Sequence, residues 1–217
     1  MRKEKWDMYI NTLQGHPSAC NSNHTVESLK FITELIPPYK FPILLNIGVA
    51  EGLETKILHD LGYITIGIIN GKLNSDIAKR KYVSENMLFI QHDMHDLPLK
   101  SESVDAVYMN HTFEHSYAPF IFLLELYCVL KPKGRMWIAM PNFKEVNDPT
   151  VSSESLISQH HPNILCRNLF GLFFKETGFK IIQDNGNGNS YLLEKQGLES
   201  VHSDVRNVIL TRKSLFG

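Results

Sequence analysis

The chain of 217 residues has only three cysteines, Cys20, Cys128 and Cys166, far apart and without a CxxC pair. That excludes a disulfide framework and a zinc knuckle, and it fits a reducing cytoplasm. An excess of one charge is missing too: 22 Lys and Arg stand against 23 Asp and Glu, a net −1 with the signs interspersed. Nucleic acid or an anionic membrane would call for a basic excess, so neither is expected as a partner. No apolar run is long enough to cross a bilayer, and the most apolar stretch, Ala118 to Leu130, carries Glu125. The opening MRKEKWDMYINTLQGHP has charge but no apolar segment behind it, which argues against a signal peptide. Internal repeats and a separate linker are absent. With 43% hydrophobic and 21% charged residues, the chain is expected to be one cytoplasmic domain over 1–217.

What is present is an alternation. Residues 1–40 suggest a helical cap: Thr25 can N-cap a helix whose apolar face is Leu29, Phe31, Ile32 and Leu35, stopped by Pro37 and Pro38. From 41 to 217 an α/β core is expected. Strand-like apolar runs recur at Ile43 to Ile47, Ile64 to Ile69, Met87 to Ile90, Val104 to Met109 and Arg135 to Met140. Amphipathic stretches at Gly52 to Leu61, Leu73 to Val83, Pro119 to Leu130 and Leu165 to Thr177 read as helices. HDMHDLPLKSES, between the third and fourth strands, leaves little room for a helix. Phe179 to Gln183 and Val205 to Thr211 read as two further strands, joined by an exposed connection, DNGNGNSYLLEKQGLES. The pattern predicts a Rossmann-like, doubly wound, mostly parallel seven-stranded sheet with helices on both faces.

LLNIGVAEGLETKIL, from Leu44 to Leu58, places Gly48, Ala50 and Gly52 between the first strand and its helix. Bare backbone at that turn lets a ligand meet unpaired N–H groups at the sheet's carboxyl edge. A dinucleotide fingerprint would read GxGxxG, whereas this spacing is G-x-A-x-G. Further on, FIQHDMHDLPLKSESVDAVYMNHTFEHSYAPFIFLLELYCVLKPKGRMWIAMPN combines a strand ending at Asp93, a Leu-Pro loop, Val-Asp-Ala-Val and a Leu-Lys-Pro-Lys-Gly turn.

This block resembles, over about residues 42–183, the class I S-adenosylmethionine-dependent methyltransferases. The resemblance implies S-adenosylmethionine as cofactor. It implies that Gly48, Ala50 and Gly52 pass under its methionine and ribose and that Asn70 meets the ribose hydroxyls. Asp93 would accept the adenine amino group, with Met94 packing on the ring, and Asn110 and His111 would face the methionine end and the acceptor. Asn46 and Asn70 stand where the family favours acids, and Ala50 replaces the middle glycine. Each lost carboxylate costs about 1 kcal/mol of binding, and the Ala50 methyl is tolerated as long as φ stays negative.

For a hydroxyl or amine acceptor, the bases to test are His115, His111 and His160, in that order. The acceptor is expected to be a small or sugar-like molecule; the oligomeric state is not readable. A methyltransferase fold that only binds or scaffolds is the alternative, favoured by Asn46, Ala50 and Asn70. HTFEH, from His111 to His115, also matches the HxxEH pattern of zinc peptidases, a remote alternative; no metal site is assigned. Lys131, Lys133 and Arg135 read as a solvated turn, and Trp6 and Tyr9 as groups that either close over a ligand or pack.

Overall fold

The computed structural model describes residues 26–140, 167–186, 190–201 and 203–216. The chain divides between Met94 and His95 into two compact units. Its sheet has seven strands in the order β3-β2-β1-β4-β5-β7-β6.

The first unit opens with two short helices, α1 (Val26–Leu29) and α2 (Phe31–Leu35), where the pattern predicts one. Leu29, Ile32 and Ile36 are buried, but Phe31 is exposed, so the inward stripe is narrower than expected. Thr25 lies outside the described residues. Then come β1 (Ile43–Ile47), α3 (Leu53–Asp60), β2 (Ile64–Ile69), α4 (Lys72–Lys81) and β3 (Met87–Gln91). β1 and β2 keep the expected bounds because both are short runs dominated by Ile and Leu, which suit a largely buried strand. The strands pair in parallel, Leu45 beside Ile66 and Gly67 beside Phe89. Lys79, Arg80 and Lys81 end α4, where cations offset the negative pole of the helix. Val49, Ile69, Ala78, Met87 and Phe89 form a core cluster flanked by Tyr82. Each large apolar side chain buried there contributes about 1.5–3 kcal/mol. Burial raises the pKa of Tyr63, whose hydroxyl donates to the Ile36 carbonyl.

In the second unit, β4 (Val104–Asn110), α5 (Pro119–Val129) and β5 (Leu130–Ala139) make a parallel pair with its crossover helix. α5 starts with Pro119, whose missing N–H costs nothing in a first turn, and is buried on nearly every side from Phe122 onward. No helix separates β3 from β4, as the loop-like sequence predicts. β5 begins five residues earlier than Arg135, because its pairing with β4 jumps from Val104–Leu130 to Ala106–Arg135 across an irregularity. Lys133 sits there at φ 63, and a Cβ on Gly134 would lie 2.8 Å from the Lys131 carbonyl. The expected solvated turn is therefore part of the strand, with Lys131 Nζ 2.7 Å from Asp105. Lys195, 3% exposed, donates to the Leu130 carbonyl at 2.6 Å and lies 4.4 Å from the Tyr127 ring centroid.

After α6 (Arg167–Glu176) come β6 (Phe179–Asp184), β7 (Ser190–Lys195) and α7 (Ser203–Phe216). Two expectations are corrected here. SYLLEK lies inside the supposed connection, yet it is β7, antiparallel to both β5 and β6. Val205 to Thr211 is helix, not strand: Ile209 is buried while Val208 and Leu210 are each about half exposed. The strand count still comes to seven because β7 replaces that segment. α7 is held by Arg212, whose Nε and Nη2 reach Glu125 Oε1 and Oε2 at 3.0 and 2.8 Å. Among the described residues no helix is long and apolar enough to cross a membrane.

Candidate functional site

The first unit builds a rim from three neighbouring strand ends. Ile47 pairs with Ile68, and Ile69 with Gln91. The ladder then gives out in step: Gly48 N donates to Ile68 O at 3.2 Å and His92 N to Ile69 O at 3.1 Å. Gly48, Asn70 and Asp93 thus leave the sheet at one carboxyl edge, where open α/β sheets bind ligands. Asn70 and Asp93 are half-buried and Gly48 is exposed.

Every second residue of the first turn is left-handed: Gly48 at φ 80, Ala50 at φ 46 and Gly52 at φ 93. Ala50 therefore does not keep the negative φ that would make its methyl harmless. It carries a strain of about 1–2 kcal/mol that glycine would not. Gly52 is bare for an inward reason as well, since a Cβ there would stand 3.0 Å from Ala78 Cβ and from Phe89 Cζ.

Two residues expected to touch the cofactor lie deeper. Asn46 is fully buried, with Nδ2 donating to Thr55 Oγ1 at 3.0 Å and Oδ1 without a partner. It braces β1 against α3 beneath the turn. Met94 is also buried.

The second unit, taken by itself, carries candidate residues on the turn after β4. His111 N donates to Ala139 O at 2.9 Å, extending the strand pairing by one residue, and His111 then takes φ 47. Thr112 Oγ1 donates to the Asn110 carbonyl at 3.1 Å. A 3-10 turn, Phe113–His115, follows, anchored by buried Phe113 packed against Phe122 and Phe170. Glu114 points inward at 2% exposure; its Oε1 is 3.4 Å from His111 Nδ1, and its Oε2 is buried without a hydrogen-bond partner. His111 and His115 are exposed. Buried Ser116 shares a 2.8 Å hydrogen bond with His95 Nε2 and accepts from Ala118 N, and the His95 ring lies 3.9 Å from that of Tyr117.

The three-residue 3-10 turn and the left-handed His111 deny HTFEH the helical face that a zinc peptidase needs. Among the described residues no group of three His, Cys, Asp or Glu could hold a metal ion. His160, with Trp6 and Tyr9, lies outside the described residues. Sequence reasoning missed the pairing of Glu114 with His111 and the hydrogen bond between His95 and Ser116. The available signal was a carboxylate three residues after His111, a spacing weighed only as a metal motif.

Residues 45–138 match the family described as methyltransferase domain. By sequence, no curated protein matches the chain. Among solved structures, a protein of Pyrococcus horikoshii OT3 is similar at TM-score 0.66 and 19% identity, over 83% of this chain and 95% of that one. An S-adenosylmethionine-dependent methyltransferase of Aquifex aeolicus is similar at 0.62 and 20%, over 87% and 97%. The [4+2]-cyclase SpnF is similar at 0.62 and 19%, over 83% and 72%.

Proposed function

We propose that this chain, whose fold is that of the class I S-adenosylmethionine-dependent methyltransferase superfamily, acts as one cytoplasmic domain that methylates a small or sugar-like acceptor at oxygen or nitrogen. The observation that carries the reading is the rim of three parallel strand ends, with its left-handed turn at Gly48, Ala50 and Gly52. Exposed Gly48 and half-buried Asn70 and Asp93 fit an adenosyl ligand laid along that edge.

S-adenosylmethionine, when bound, supplies an electrophilic methyl group on a sulfonium. The chain's own task is binding and orientation, worth on the order of 7–11 kcal/mol in well-aligned reactions. Gly48 and Ala50 offer main chain to the amino-acid and ribose portions, Asn70 takes a ribose hydroxyl, and Asp93 accepts from the adenine amine. Asn46, Gly52 and Met94 support these from beneath. Asn110 faces the methionine end, and His111, His115 or His160 removes the acceptor's proton. The near-neutral charge supports an acceptor other than nucleic acid.

The strained Ala50 and sunken Asn46 favour a second reading, in which the fold binds and transfers nothing; the cyclase neighbour likewise carries a different reaction name. Calorimetry and thermal shift with S-adenosylmethionine and S-adenosylhomocysteine decide. At a hundredfold excess over Kd the ligand adds about 2.7 kcal/mol of stability. A shift lost in Asp93→Ala supports the cofactor cleft that transfer requires, and the absence of any shift at millimolar ligand moves the reading to the scaffold.

A further inference from the structure

We propose that Glu114 is the positioning residue of the base: its carboxylate holds the Nδ1–H of His111 and leaves Nε2 to take the acceptor's proton. This rests on the methyl-transfer reading above. Three observations on one turn carry it. Glu114 is 2% exposed, and its Oε1 stands 3.4 Å from His111 Nδ1 while the His111 side chain is 63% exposed. A buried carboxylate facing an open imidazole is the arrangement that selects a tautomer and aims the ring. In resting enzymes such contacts are often long and tighten when substrate arrives.

Glu114 Oε2 is buried with no hydrogen-bond partner. Burying a carboxylate with one oxygen unserved weakens a fold, so packing alone gives no reason for an acid here. Finally, His111 holds φ 47, a left-handed conformation unfavourable for a non-glycine residue. The hydrogen bond from its N–H to Ala139 fixes that backbone at the strand end. Strain of this kind persists where the surroundings over-determine it, and it concentrates at sites that do chemistry.

His111 thereby replaces His115 as the first candidate, because Glu114 Oε1 faces its Nδ1 at 3.4 Å. The remaining titratable groups of this loop are His115 and Tyr117, and His95, from the connection before β4, is held to Ser116 and lies against Tyr117. In the transfer step the acceptor's proton moves to His111 Nε2, and the freed lone pair forms the new bond to the methyl carbon. With S-adenosylmethionine bound, the electron pair of the carbon–sulfur bond would stay on sulfur. The imidazolium, steadied by Glu114, then releases its proton to water.

The test needs no acceptor. In the full chain with 15N-labelled histidine, long-range proton–nitrogen spectra report which ring nitrogen of neutral His111 bears hydrogen, with His111→Gln assigning the signal. Wild type is expected to show the proton on Nδ1. Glu114→Ala is expected to lose that preference, and Glu114→Gln, whose amide oxygen still accepts, to keep part of it. A proton on Nε2 in the wild-type spectrum overturns the proposal without any variant having to fold. An unchanged tautomer in a folded Glu114→Ala protein overturns it equally. Failure of the methyl-transfer reading is seen separately, as the missing thermal shift with S-adenosylmethionine.

Discussion

Gly52 and Ala78 meet so closely that a Cβ built on Gly52 would lie 3.0 Å from the Ala78 Cβ, with the Phe89 ring equally near. The glycine that opens α3 is thus required by the protein's own core, apart from any ligand. Gly52→Ala is expected to cost about 2–4 kcal/mol, combining overpacking with a Cβ at φ 93. Urea unfolding measures it, and a loss below about 1 kcal/mol would show that the contact relaxes freely.

Two residues earlier the situation reverses. Ala50 already bears a Cβ at φ 46, so Ala50→Gly removes a strain of about 1–2 kcal/mol and gives back about 0.5–1 kcal/mol in unfolded-chain entropy. The melting temperature should rise by about 1–3 °C. A fall in melting temperature would mean that the Ala50 methyl packs better than its backbone conformation suggests.

Arg212 and Glu125 form a fork-to-carboxylate pair, their side chains 10% and 14% exposed. Burial works against the charge on Arg212, but the hydrogen bonds and charge of Glu125 outweigh it, so its pKa is raised. The guanidinium also donates to Ser101 and to the Leu97 carbonyl, which ties α7 to α5 and to the loop before β4. Arg212→Ala is expected to cost about 3 kcal/mol, near the lower end for a broken buried pair. Arg212→Lys should recover less than half of that, since a point charge cannot make two parallel bonds. Full recovery with lysine would reduce the pair to simple charge attraction.

Alkaline pH supplies another measurement. The Tyr127 pKa is pushed up to about 12 from 10.0, by burial first and then by Glu199, Cys128 and Glu102, with Arg206 opposing. Its hydroxyl donates to the Gln196 carbonyl at 3.0 Å. The folded protein keeps this proton where the unfolded chain has lost it. The Tyr127 contribution is therefore whole below pH 10 and disappears as pH climbs from 10 to about 12. Tyr63, raised further by burial, adds in the same direction. Tyr127→Phe should flatten the decline of stability above pH 10, and an identical slope in both proteins would contradict the assignment.

The parallel half of the sheet was legible because each strand is a short apolar run bounded by turn residues, as at Ile43–Ile47 and Ile64–Ile69. β7 was hidden because Asn and Gly precede it, and its reason to be a strand is long-range pairing with β5 and β6. Val205 to Thr211 misled by its β-branched residues, whose preference yields once a helix can bury Ile209 and bring Arg212 to Glu125. At the candidate site the spacing of Gly48, Ala50 and Gly52 could be read, but not the sign of φ at Ala50. The inward turn of Glu114 was also invisible, because a carboxylate three residues from a histidine looks the same whether it faces solvent or core.

Lys195 closes the irregularity in β5 from within, its ammonium set against the Leu130 carbonyl and the face of Tyr127. Amine chemistry should consequently distinguish it from the rest. An acylating reagent that decorates the outward lysines of the folded chain, Lys133 among them, would pass it over. Its late appearance in a modification map would then clock the opening of the β5–β7 seam.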